Sequence, residues 1–225
     1  MFSDADREFM SKDMQFVVES IESKLNEPSL AQFREVALGA ISEFIRAIKE
    51  FEASGAPRNL MSVLGNPAER AIDGHFEKIT VGLDTADDAY QVLDALRYAF
   101  SGYAYNGLHQ LYTRQQNECW HPKMRLTVVL EPNDIAMLAE TPTLYRGCDR
   151  RELETRSFGQ AWTTSLESAI EFAFHHYRHQ DWFDPKSRVV LETSYAREHV
   201  LYAEQSNECE VVVDVDKLGS VIEHF

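Results

Sequence analysis

The chain has 225 residues, enough for one large domain or two modest ones, and its 44% hydrophobic content can supply a sizeable core. Its formal charge is −15, carried by both halves. Such a surface repels phosphate backbones and anionic membranes, so a nucleic-acid partner would need a local positive patch, for which only Arg146, Arg150, Arg151 and Arg156 are candidates.

In chain order, the N-terminal part has helical periodicity. Met10, Met14, Val17, Val18, Ile21 and Leu25 recur at helical spacing, as do Phe33, Ala37, Ile41, Phe44, Ile48 and Phe51. The stretch ASGAPRN (53–59) breaks the pattern with Gly and Pro. A shorter helix is predicted over 67–79, after Asn66 and with Pro67 in its first position. Another, over about 86–101, places Ala89, Leu93, Leu96 and Phe100 on one side. The aromatic run YAFSGYAYNGLHQLY (98–112) has no interleaved Lys or Arg, so it suits a core or an interface better than a nucleic-acid platform.

Beyond about residue 122 the texture changes. LTVVLEP (126–132), TLYRG (143–147), QAWTTS (160–165), RVVLETSY (188–195), HVLYA (199–203) and EVVVDV (210–215) are short and rich in Val, Tyr and Thr, and predict strands. One helix interrupts them over about 169–179, with Ser168 and Glu171 as a capping box. The expected fold is therefore α+β, with a helical region over 1–120 and a strand-rich core over 121–225. The polar, acidic start MFSDADREF does not read as a secretory or mitochondrial signal, and no apolar run reaches membrane-spanning length. Cys119, Cys148 and Cys209 are odd in number and widely spaced, which predicts neither a disulfide framework nor a cysteine zinc site. The default expectation is a reducing, cytoplasmic compartment and no membrane partner.

Three motifs could carry chemistry. In Leu144-Tyr145-Arg146-Gly147, an arginine ends a short apolar strand and can meet a phosphate, while the glycine lets a ligand approach the backbone. Thr163-Thr164-Ser165 sets three hydroxyls at a strand end, able to hold a carboxylate or a ligand hydroxyl, or to cap a helix. Glu208 and Glu210 open an apolar strand, where residues two apart share a face. Paired carboxylates of this kind serve glycosyl transfer: one stabilises a developing sugar cation while the other orients a nucleophile. His175 and His179 are one helical turn apart, a zinc-compatible spacing, but no third ligand is evident and no metal is expected.

The order of these motifs resembles the mono-ADP-ribosyltransferases of the Arg–Ser–Glu type, over about residues 140–215. LESAIEFAF, directly after the hydroxyl triplet, matches a common helical continuation in that family. The resemblance implies an ADP-ribosyltransferase-like β-sandwich core that moves ADP-ribose from NAD to an acceptor and releases nicotinamide. It implies that Arg146 contacts the NAD phosphates or ribose and braces the site, and that the Gly147 backbone binds the nicotinamide carboxamide. Thr163 matches the serine that positions the catalytic glutamate, with Thr164 and Ser165 completing the motif around the dinucleotide. Glu210 matches the glutamate that binds the ribose 2′-hydroxyl and stabilises the cation. Glu208 matches the acceptor-selecting position, and LYAEQSN (201–207) the acceptor-recognition turn. A nicotinamide-stacking aromatic would come from Phe174, Tyr177, Trp182 or Phe183. A glutamate at 208 goes with a protein arginine as acceptor; modification of RNA or DNA bases by a toxin of a toxin–antitoxin or phage-defence system, with an antitoxin or inhibitor as partner, is the alternative. A non-catalytic interaction protein is the competing class.

Overall fold

The computed structural model describes residues 2–58, 65–113, 120–180 and 182–224. The chain divides into two compact units, Met1–Arg125 and Leu126–Phe225. The expected breaker residue Asn59 and Cys119 lie outside the described residues.

The first unit is helical. It comprises α1 (Asp4–Glu8), α2 (Val18–Leu25), α3 (Arg34–Ala53), α4 (Pro67–Ile79) and α5 (Asp88–Asn106). In α3 the predicted stripe is the buried face: Ala37, Ile41, Phe44, Ile48 and Phe51 all point inward. Helix α4 begins where Asn66 and Pro67 foretold. The Asn66 side chain accepts from the amides of Ala68 and Glu69, and Glu69 reaches back to the Asn66 amide, satisfying donors that a helix start leaves unpaired. The same side chain donates to the carbonyls of Arg58 and Ala104, which explains a polar residue only 1% exposed. In α5, Ala89, Leu93, Leu96 and Phe100 are buried as expected, and Phe100 packs against Phe16 and Phe44. The helix runs on to Asn106 and stops at Gly107, whose φ of 64° only glycine adopts cheaply. The first apolar run is not one helix. A π-helical turn, Phe9–Asp13, follows α1, and Gln15 takes φ 54°; Phe16 then pairs with Met124 before α2 begins. Within 98–112, Phe100, Tyr103 and Tyr112 are buried, while Tyr98 and Tyr105 are exposed.

The second unit carries β1 (Thr143–Asp149), α6 (Arg150–Thr155), β2 (Ala161–Thr163), α7 (Leu166–Phe174), β3 (Arg188–Ser194), β4 (Val200–Glu204), β5 (Glu210–Val213) and β6 (Ile222–Glu223). With the helices of the first unit, this makes an α+β protein. Its strands form one antiparallel sheet in the order β4-β5-β2-β1-β3-β6. The β1–β3 ladder runs the whole length of both strands, but β1 and β2 share a single register pair, Tyr145 with Thr163. The sheet therefore has a seam between β1 and β2.

Alternation along each strand assigns the two faces. Leu144, Cys148, Trp162, Val189, Leu191, Val211 and Val213 belong to one apolar cluster, completed by Leu138, Tyr195 and Val221. Gly147 and Val190 are on the other face, beneath α7, where Ala169 and Ala173 pack. A Cβ on Gly147 would lie 2.1 Å from the Ala169 carbonyl oxygen and 2.5 Å from the Ala173 nitrogen, so the glycine is what admits the helix.

Two expected elements differ. LTVVLEP is not a strand: Gln160 receives the Leu126 amide and donates to its carbonyl, and Leu130 donates to Leu201, while Val128 and Val129 are exposed. Helix α7 starts earlier and ends sooner than 169–179. Its cap is Ser165, which accepts from the Ser168 amide, so Ser168 lies inside the first turn. At its other end Arg188, 4% exposed, donates to the carbonyls of Phe172 and Ala173, meeting the groups that a helix end leaves unsatisfied. His175 and His179 consequently lie beyond the helix and not one turn apart upon it.

Candidate functional site

The register brings two of the expected site residues side by side. Thr163 on β2 pairs with Glu210 on β5, and Thr163 also pairs with Tyr145 on β1. Tyr145 in turn pairs with Glu192 on β3, and Glu210 with Glu204 on β4. Register partners point to the same face. Glu192, Tyr145, Thr163, Glu210 and Glu204 therefore form one row across five strands, on the face that α7 partly covers.

The hydroxyl triplet is used to build this row. Thr163 Oγ1 donates to the Glu208 carbonyl at 2.7 Å and accepts from the Ser165 amide at 2.9 Å. Thr164 donates its amide to the Cys209 carbonyl and its hydroxyl to Gln205 Oε1 at 2.9 Å. Ser165 caps α7. Together the three residues fasten the β4–β5 turn to the start of α7. Gln205 secures the same turn, donating to the Glu210 carbonyl at 3.1 Å and, through its amide, to Asp134 Oδ2 at 2.9 Å.

Glu208 and Glu210 do not share a strand face. Strand β5 begins at Glu210, and Cys209 adopts φ 53°, a left-handed conformation that ends the alternation. Glu208 is exposed on the turn, whereas Glu210 is half-buried at the strand start. Burial, then the charges of Glu210, Glu204 and Asp134, raise the pKa of the Tyr202 phenol. That end of the row is an acidic environment suited to a cationic group.

Arg146 is placed differently. It lies between Leu144 and Cys148 on the apolar-cluster face, opposite to Tyr145 and Thr163. Its Nε and Nη2 donate to the two carboxylate oxygens of Glu152 on α6 at 2.9 and 2.8 Å, and Nη1 donates to the Ala161 carbonyl at 2.5 Å. Burial opposes its charge, but the attraction and hydrogen bonds of Glu152 outweigh that and leave its pKa raised. Glu152 also accepts from the Gly159 amide. The guanidinium thus reaches a β2 carbonyl across the seam and ties β1 to β2 and α6. Of the expected positive patch, Arg150 is also paired, bidentately with Glu223, and Arg156 donates to the Val221 carbonyl.

The aromatic candidates gather beyond α7. Tyr177 and Trp182 have ring centroids 5.2 Å apart, Trp182 and Phe183 6.3 Å, and the Arg188 guanidinium lies over Tyr177 and Phe183 at 5.9 and 6.0 Å. Phe174, the last residue of α7, instead packs against the cluster of Ala169, Ala173 and Val190. Burial pushes the Cys148 thiol up to about 12, so it stays protonated at neutral pH and is no nucleophile. Among the described residues no group of three His, Cys, Asp or Glu could hold a metal, and no helix is long and apolar enough to cross a membrane.

Sequence reasoning did not single out Glu192 and His224. His224 Nδ1 is 2.5 Å from Glu192 Oε2, and its ring meets Tyr145 edge-on at 5.5 Å. No local motif marks this pair, because only strand pairing brings it to Tyr145. An open groove of about 940 Å³, lined by residues including Val129, Glu131, Ile135, Glu140 and Arg197, is elsewhere in the unit and is bordered by none of the expected site residues.

The donor set of the row, three carboxylates with the hydroxyls of Thr163 and Tyr145, fits sugar hydroxyls and a developing positive charge better than it fits a metal ion. No protein-family model, curated protein or solved structure matches the chain.

Proposed function

We propose that the Leu126–Phe225 unit transfers ADP-ribose from NAD to an acceptor, as a mono-ADP-ribosyltransferase with an ADP-ribosyltransferase-like core. The observation that carries this reading is the pairing of Thr163 with Glu210 at the edge of the β4–β5 turn, with the Thr163 hydroxyl holding the Glu208 carbonyl. It supports the order of motifs that suggested the reading, and it gives each group a task.

NAD supplies the glycosidic bond that breaks, with nicotinamide as the leaving group. Glu210, half-buried beside a hydroxyl, accepts from the ribose 2′-hydroxyl and opposes the positive charge that grows on the sugar. Thr163 is a positioning residue: it fixes the turn from which Glu210 enters the strand. Glu208, exposed on that turn, faces the acceptor, and the surrounding carboxylates favour a cationic one, a protein arginine. Arg146 acts as the brace that the resemblance also implies, holding β1 against β2, rather than as a phosphate ligand.

Labelled-NAD transfer by the wild type and Glu210→Gln tests the reading. Loss of one such electrostatic contact is expected to lower transfer by about 10²–10³-fold. NAD should also raise the melting temperature of the wild type, because a ligand specific to the native state stabilises it. A wild-type protein that neither binds NAD nor transfers nor hydrolyses it overturns the assignment. Parallel nuclease and protease digestion of the labelled product then identifies the acceptor class, with protease sensitivity expected.

A further inference from the structure

The row that holds Thr163 and Glu210 does not end there. At its far side stand Tyr145, Glu192 and His224, which no part of the chemistry above uses. Glu192 is three strands from Glu210, about 14 Å at ordinary strand spacing. Both members of the pair keep part of their surface open, His224 with 27% and Glu192 with 29% side-chain exposure. Holding β6 in place does not by itself require them, since the His224 amide already donates to the Val190 carbonyl at 2.8 Å.

We propose that Glu192, His224 and Tyr145 form the subsite for the adenosine end of the dinucleotide, which rests on the reading of Glu210 as the group at the nicotinamide ribose. The chemistry matches at each atom. A carboxylate accepts from the two hydroxyls of a ribose, the means by which many nucleotide sites hold NAD. His224, 2.5 Å from Glu192 Oε2, fixes that carboxylate on the sheet. The edge-on rings of Tyr145 and His224 supply an apolar wall for a base. Two sugars joined through a pyrophosphate can span the interval of about 14 Å between the two glutamates. The carboxylate also sets specificity: NADP would bring its 2′-phosphate against Glu192, and like charges repel.

Calorimetric titration of wild type, Glu192→Gln and His224→Gln with NAD, NADP, AMP and nicotinamide mononucleotide tests the subsite. The wild type is expected to bind NAD at least about tenfold more tightly than NADP. Glu192→Gln should weaken NAD and AMP by about tenfold, the loss of one charge-assisted hydrogen bond, and narrow the preference over NADP. Nicotinamide mononucleotide, which lacks the adenosine end, should be unaffected. His224→Gln should shift the same ligands in the same direction by a smaller factor. Thermal melts show that each variant is folded at the titration temperature. NAD binding unchanged in Glu192→Gln, equal weakening of AMP and nicotinamide mononucleotide, or a wild type indifferent to the 2′-phosphate would each overturn the subsite while leaving the transferase reading standing. A wild type that binds neither NAD nor nicotinamide mononucleotide overturns both.

Discussion

Gly147 shows how one atom can decide what a motif means. Beside an arginine at a strand end, the glycine suggested a place where a ligand meets the backbone. The side on which a Cβ would stand is instead filled by helix α7, at 2.1 Å from a carbonyl oxygen. Gly147→Ala is expected to cost about 2–4 kcal/mol, because helix and strand must separate to admit the methyl group and backbone cannot yield as a flexible side chain can. A chemical-denaturation series measures this. A change below about 0.5 kcal/mol would mean that α7 is free to shift. Arg146 carries a related lesson: its bidentate bond to Glu152 is buried, with 7% and 11% of the two side chains exposed. Lysine cannot reproduce that fork, so the residue is specific for its geometry as well as its charge.

Among elements, the β4–β5 turn depends most on single hydroxyls. Thr163→Val keeps the shape of the side chain but strands the Glu208 carbonyl and the Ser165 amide. It is expected to lower stability by about 1–3 kcal/mol, whereas Thr163→Ser, which keeps both bonds, should stay within about 1 kcal/mol. Denaturation midpoints distinguish the two outcomes, and equal losses would mean that the two hydrogen bonds are worth no more than the packing of the methyl group. The strands flanking this turn were legible in the sequence because Val, Tyr and Thr cluster there between turn residues, and α3 and α4 because their periodicity or cap is local. The elements that were not legible lack such local signals. Helix α6 is RRELET, with only Leu153 packing on the core, and β6 is two residues long. LTVVLEP has strand composition, yet Leu126 bonds to the side chain of Gln160, thirty-four positions away, and the Leu130 amide to the Leu201 carbonyl. The face occupied by Arg146 and the row reaching Glu192 depend on register between distant strands, which no short window contains.

For the whole molecule, the acidic balance and the fate of its arginines agree. Arg146 and Arg150, two of the four candidates for a positive patch, have their charge offset by paired carboxylates, while Arg156 donates to a carbonyl, which leaves its charge in place. Two of the four candidate charges are thus met by carboxylates within the fold, a pairing that no count of charges contains.

The seam has a mechanical consequence. Along the sheet itself, the three-stranded ribbons β4-β5-β2 and β1-β3-β6 share a single register pair, to which the Arg146 guanidinium adds a bond. Any molecule lying along the row from Glu192 to Glu210 spans both ribbons and acts as a cross-tie that the backbone does not provide. Its binding energy is then spent partly on stiffening, and the stiffening is spread beyond the atoms it touches. Hydrogen–deuterium exchange with and without NAD reads this directly: amides of Thr143–Asp149 and of Ala161–Thr163 should slow together. Slowing confined to one ribbon would mean that the ligand rests on a single side and leaves the joint as loose as before.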